Sequence, residues 1–255
     1  MDSLFLNLSF EMMIVALGVS ALAGVIKGTV GFGMPMIMIS GLSTFVEPEL
    51  ALAGLLMPTV ATNVLQALRQ GPKAALTSVK KFKYFLMAGF VTLIASAQLV
   101  RVVSSDVLLL VIGVPVAVFA LIQLIGFRPN LKRTTPAIET GVGAFAGLIG
   151  GMSGVWGAPT VLYLTALNTE KSDQMRVQGV IYGLGALALV GAHIGSGVLR
   201  AETFPFSLAM VPPAMAGMWL GGHVQNRIDQ AAFRKATLLV LVVAALNLVR
   251  RTLMG

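Results

Sequence analysis

This sequence predicts an all-α polytopic membrane protein of two repeated halves, inverted relative to each other. Three observations carry that reading. Charged residues make up only 11% of the 255-residue chain and hydrophobic residues 56%, where a soluble domain carries about 25% charged. The apolar residues are gathered into long runs, several near the ~20 residues that a bilayer span needs. A glycine-rich motif also occurs twice, once near the start of each half.

The runs cover residues 12–46, 50–68, 84–100, 107–127, 137–167, 177–199, 204–222 and 236–249. Charged or Pro/Gly-rich stretches separate them, and the stretch 69–83 reads as a loop. The most polar break, FRPNLKRTTP, divides the chain nearly in half. The expected organisation is a first membrane repeat over 1–127, a basic cytoplasmic linker over 128–136 and a second membrane repeat over 137–255. The N-terminal MDSLFLNLSFEMM lacks the basic segment of a signal peptide, so the first span is expected to be retained.

Two runs are too long for one straight span, 12–46 and 137–167. Each contains the recurring motif. AGVIKGTVGFGMP begins at Ala23 and AGLIGGMSGVWGAP at Ala146. With one residue inserted, both read A-G-x-I-x-G-x-x-G, then an aromatic residue, then G-x-P. Paired motifs at matching positions in two halves are the mark of an internal repeat. Glycine permits a sharp turn, and proline suits the first turn of a helix. Gly33-Met34-Pro35 and Gly157-Ala158-Pro159 therefore read as helix restarts. Each half is expected to open with a broken or re-entrant helix pair, followed by three transmembrane helices. Unwound backbone is tolerated at membrane depth only inside protein or beside a water-filled cavity. The distribution of Lys and Arg among the loops favours the inverted arrangement and puts 69–83 and 128–133 in the cytoplasm.

A restarted helix offers free N–H groups and a positive dipole end. Two such ends meeting near the midplane would make an anion site. Close packing of small residues is the competing reading of the same glycines. Lys27, the single charge between Met12 and Val46, adds a cation beside the first motif, since an intramembrane charge is functional by default. Snorkelling to an interface is the alternative for it.

The second run carries Thr59, Thr62, Asn63 and Gln66 on one helix face, lining a pathway or bonding to neighbouring helices. Gln178, Tyr182 and His193 fall near one face of the sixth run; His193 is a candidate proton carrier or a structural histidine. Phe32 and Trp156 align between the motifs and read as packing residues. The candidate substrate-binding residues are Lys27, Thr29, Gly31, Gly33, Pro35, Asn63, Gln66, Ser153, Gly154, Trp156, Gly157, Pro159 and Gln178. Arg176 and His193 are the candidates for gating or coupling.

Other functions find no support in the residues. There is no cysteine, hence no thiolate chemistry. No Walker A, H-E-x-x-H or G-x-S-x-G sequence is present, and the ten acids lie in or near loops or segment ends. GTVGFG has no βαβ unit around it. No enzyme activity, cofactor or metal is expected. The net charge of +8 fits basic cytoplasmic loops rather than nucleic-acid binding.

The two halves, each with A-G-x-I-x-G-x-x-G and aromatic-G-x-P, resemble the sulfite exporter TauE/SafE family over nearly the whole chain. The resemblance implies a secondary transporter of small sulfur-containing anions in the cytoplasmic membrane, often an exporter, working without an ATPase partner. Family members often carry G-x-G-G-G where this chain has Thr29-Val30-Gly31-Phe32-Gly33. The expected function is export of sulfite, sulfonate or sulfoacetate by alternating access in a multi-pass inner-membrane protein. A channel-like anion pore and a membrane subunit of a larger permease are the alternatives. The expected partners are a small inorganic or organic sulfur anion and the lipid bilayer, with proton or sodium coupling for import. A homodimer is left open.

Overall fold

The computed structural model describes residues 8–97, 121, 125, 131, 134–153, 157–195 and 197–254. Among them every regular element is helical. The helices are α1 (Phe10–Val30), α2 (Met34–Leu42), α3 (Pro48–Leu68), α4 (Pro72–Lys81), α5 (Lys83–Ala97), α6 (Pro136–Ser153), α7 (Gly157–Ala166), α8 (Lys171–Gly195), α9 (Phe204–Ala209), α10 (Val211–Arg227) and α11 (Gln230–Met254). Three of the described helices, α1, α3 from Glu49, and α8, are long and apolar enough to cross a membrane. The expected run 107–127 lies outside the described residues except for 121 and 125.

The first overlong run is broken where the motif sits, giving α1 and α2; in the second, α6 and α7 flank residues 154–156, which lie outside the described residues. The first break is unequal, not the two half-helices expected. α1 has 21 residues, about 31 Å at 1.5 Å per residue, which is a full bilayer thickness. α2 has nine. Two further boundaries differ from the sequence reading. The run 204–222 is divided at Met210, just ahead of Pro212 and Pro213, into α9 and α10. The stretch read as a loop over 69–83 contains the helix α4, because its short amphipathic pattern is masked by four lysines.

The chain forms two compact units. The first comprises Met1–Pro72 and Gly179–Ile228, the second Lys73–Gln178 and Asp229–Gly255. Each unit therefore draws residues from both sequence halves, and α8 passes from one to the other between Gln178 and Gly179.

In the first unit α2 doubles back along α1. Gly41, near the end of α2, lies against Val19, halfway up α1. α3 then runs alongside, with Gly54 against Leu42 and Thr62 at Met34. α10 packs parallel to α1 through glycines on both helices. A Cβ on Gly28 would stand 2.2 Å from Met218 O, and one on Gly217 2.0 Å from Ala21 O. Ser20 Oγ donates to Met210 O at 2.7 Å across the same seam. Small residues let membrane helices approach this closely, so van der Waals contact replaces the missing hydrophobic drive. The core of the unit gathers Met34, Met38, Leu42, Leu55, Phe206 and Met210.

The second unit contains a seam of the same construction between α5 and α6. Cβ atoms on Gly143 and Gly147 would meet Phe85 O at 2.4 Å and Gly89 O at 2.0 Å. Thr92 Oγ1 donates to Ala144 O at 2.8 Å and Ser96 Oγ to Gly147 O at 3.3 Å. Phe85 stacks on Tyr163 of α7. The turn after α7 is tied to α11 by Gln230 and Arg234, which bond to Lys171 N, Thr169 O and Asn168 Oδ1.

Candidate functional site

The break after α1 is made by two left-handed glycines. Gly31 (φ 90°) caps α1, its N–H reaching Lys27 O at 2.7 Å, and Gly33 (φ 89°) precedes α2. An L side chain at either position would be strained by about 1–2 kcal/mol. Pro35 sits in the first turn of α2, where its missing N–H is harmless. Ile37 N–H takes Gly33 O at 3.1 Å, and no side chain caps this helix start. The N–H groups of Met34 and Met36 have no acceptor within the helix.

Lys27 stands one turn before this break and is 1% exposed. Its Nζ donates to Asn63 Oδ1 of α3 and lies 6.0 Å from the Tyr182 ring centroid, the outer reach of a cation–π contact. Among the described residues no carboxylate pairs with it. An ammonium has donors only, so the Asn63 amide must present its oxygen to Lys27. Asn63 Nδ2 is thereby turned away, buried and without an acceptor. One helical turn earlier on α3, Thr59 Oγ1 is also buried without a partner. Each such group costs about 1–3 kcal/mol left unsatisfied, and these two lie one turn apart on the face of α3 that carries Asn63 to Lys27.

The other predicted residues divide by where the structure puts them. Gln66 Nε2 donates to Gly31 O at 3.0 Å, which fastens the break. Thr62 Oγ1 donates to Pro58 O at 2.6 Å. The Thr29 hydroxyl donates to Val25 O at 2.9 Å within its own helix and lies 3.4 Å from Gly221 O, so it serves the α1–α10 seam. Glycines of α8 bring that helix onto α3 at this level: Gly179 lies on the Gln66–Ala67 backbone and Gly183 beside Asn63. Thr59 and Tyr182 complete the cluster. The i, i+4 spacing of Thr59 and Asn63 signalled the first; Tyr182 carried no signal toward Lys27.

The site is off-centre. Asn63 is six residues from Arg69, about 9 Å along α3, and Gly31 lies at Gln66, closer still. Along α3 the cluster therefore lies nearer the Arg69 end than the middle of the helix. There Arg69 forks to Gln225 Oε1 (3.1 Å) and Asn226 Oδ1 (2.8 Å), joining the ends of α3 and α10. At the opposite end of the unit Arg200 pairs with Glu49 at 2.6 Å and Glu202 at 3.3 Å.

In the second unit the described part of α7 runs from Gly157, with Pro159 buried near its start. Ser153 ends α6, while Gly154 and Trp156 lie outside the described residues. Gln178 is fully buried. Arg176 donates through Nε to Ser78 Oγ at 2.9 Å and pairs with Asp173 at 3.0 Å. His193, in the first unit, is in the last turn of α8, eleven residues or roughly 16 Å along the helix from Tyr182, so it is not part of the Lys27 cluster.

No curated protein and no solved structure matches the chain. The family comparison matches the sulfite exporter TauE/SafE family over residues 16–248. That range takes in both glycine motifs, the buried lysine, α3 and α8 in full, and α1 from Ala16. The chain thus belongs to the sulfite exporter TauE/SafE family, and is a transmembrane transport protein rather than an enzyme.

Proposed function

We propose that this protein is a secondary transporter that exports small sulfur oxyanions or organosulfonates by alternating access, with the anion held at the break between α1 and α2. The observation that carries this reading is the Lys27–Asn63 pair. A buried lysine with no carboxylate partner among the described residues bonds to an amide whose own donor is unsatisfied, one turn before the chain breaks ahead of an uncapped helix start. A trigonal or tetrahedral oxyanion satisfies all three through different oxygens, and charge-assisted hydrogen bonds of this kind are the strong ones. Thr59 adds a hydroxyl. Gln66, Gly31, Gly33 and Pro35 hold the break in shape. In the second unit the restart at Gly157 and Pro159 is proposed to act by the same backbone device, with Ser153, Gly154, Trp156 and Gln178 as further candidates there. Arg176 is the proposed entry cation.

Export of an anion from a negative interior needs no coupling ion. Outward movement of one negative charge gains about 2.3 kcal/mol per 100 mV. Coupling to a proton or sodium ion is required only for import, and His193 is the proposed coupling residue for that mode.

The test is flux in liposomes holding purified protein, run against sulfite, sulfoacetate, taurine, thiosulfate and sulfate. A transporter gives saturable flux that substrate on the opposite side stimulates. Flux that stays linear with concentration and shows no stimulation from the other side indicates a pore and overturns the reading.

A further inference from the structure

The second unit carries a basic surface that the transport site does not use. In α4, Lys73, Thr77, Lys80 and Lys81 are exposed and fall at i, i+4, i+7 and i+8, one helix face. Lys83 follows at once and is exposed too. The opposite face is pinned inward. Ser78 is buried and accepts from Arg176 Nε at 2.9 Å, and Phe82 is 2% exposed. The orientation of the lysine face is therefore set by packing.

Among the described residues no ion pair neutralises that face. No Asp or Glu occurs between Glu49 and Asp106 in the sequence. Glu139 lies within electrostatic range of Lys81 and Lys83. It is buried and caps the start of α5 through Phe85 N–H at 3.4 Å. Four lysines less one carboxylate leave an excess of three positive charges.

The exposed residues then change character in order along the chain. After the lysines comes Tyr84, 39% exposed, with Lys83 Nζ 4.9 Å from its ring centroid. After Tyr84 come Met87, Val91 and Ile94, exposed on α5 at successive turns. A cationic band, an aromatic ring and an apolar stripe follow the profile of a leaflet from headgroup to acyl chain.

We propose that the lysine face of α4 is a binding surface for anionic phospholipid headgroups of the adjoining leaflet, with the acyl chains against the exposed stripe of α5. The apolar stripe continuous with the lysines selects a lipid over a free phosphate. The sequence reading puts this segment on the cytoplasmic side, where basic residues beside a membrane helix meet anionic lipid. The surface lies outside the Lys27 cluster, so the inference stands independently of the proposed function.

Native mass spectrometry of the full-length protein in detergent, titrated with phosphatidylglycerol or phosphatidylcholine, tests it. The wild type is expected to retain phosphatidylglycerol at least tenfold more strongly, since each basic side chain near such a surface contributes about fivefold. The quadruple variant K73Q/K80Q/K81Q/K83Q loses that preference, while the charge-preserving quadruple arginine variant keeps it. A glutamine change at Lys235, outside the surface, leaves the preference unaltered. Circular dichroism establishes that each variant is helical before titration. An unaltered preference in the folded glutamine variant overturns the proposal. So does displacement of the lipid by glycerol phosphate at the same concentration as whole lipid, which would mark a site for free phosphate.

Discussion

Asn63 accepts a hydrogen bond from Lys27 through its amide oxygen, and that one contact turns its amide nitrogen into a buried donor without an acceptor. The orientation follows from chemistry, since an ammonium has donors only. The pair joins α1 to α3 one turn before the backbone breaks at Gly31. It makes the lysine and the amide a single unit, the one proposed to face an oxyanion.

Asn63→Asp tests this division of labour. The carboxylate pairs with Lys27, which neutralises the site and removes the free donor together. Affinity for sulfite or sulfonate is expected to fall at least tenfold, because a hydrogen bond to a charged group contributes about 1.5–3 kcal/mol. Thermal stability is held or raised by the new ion pair. Titration calorimetry beside a thermal melt separates the two effects, and undiminished affinity removes Asn63 from the site.

Thr59→Val asks whether the unpartnered hydroxyl serves the anion. The two side chains have nearly the same shape, so the change deletes one buried oxygen. As a ligand-facing donor it contributes about 0.5–1.5 kcal/mol, so binding weakens roughly two- to tenfold while the melting temperature stays level or rises. A fall in stability with no change in binding would assign the hydroxyl to the fold instead.

Gly33→Ala probes the break itself. The position has φ 89°, and a Cβ there costs about 1–2 kcal/mol while rotating the start of α2 away from its present direction. Transport is expected to fall more steeply than stability. Equal flux per folded molecule for mutant and wild type, measured in liposomes, would show that the direction of α2 does not matter to transport.

Gly217→Ala addresses the helix seam. Its Cβ would lie 2.0 Å from Ala21 O, so α1 and α10 must separate. Overpacking of this kind costs about 1–3 kcal/mol, read as a lowered melting temperature in detergent. The same change at Gly18, which has no neighbour within 4 Å, leaves the melt unmoved; equal effects at both positions would count against the seam.

Much of this was legible in the sequence, and the parts that were not have physical reasons. The runs 12–46, 50–68 and 177–199 overlap the three described helices able to span a membrane, and Gly31, Gly33 and Pro35 showed where a helix must stop and restart, because backbone chemistry is local. The length of α1 was not legible, since Gly24 and Gly28 look like breakers but remain helical against the α10 backbone. Nor could the stripe on α3 be sorted. Thr59, Thr62, Asn63 and Gln66 share one face, yet Gln66 fastens Gly31 O and Thr62 bonds to Pro58 O, leaving Thr59 and Asn63 open. That depends on what stands opposite each residue. The same holds for the units: α1 packs on α10 and α5 on α6, pairings that join the two sequence halves and leave no trace in either alone.

Lys27 is proposed to bind the transported anion. The most direct test is titration of sulfite into purified wild type and Lys27→Met, each shown by its thermal melt to be folded. Loss of the charge is expected to weaken binding from tenfold to more than a hundredfold, the range of about 1.5–3 kcal/mol for a hydrogen bond to a charged group, and to reduce liposome flux in step. Equal sulfite affinity in the folded Lys27→Met protein would contradict the account.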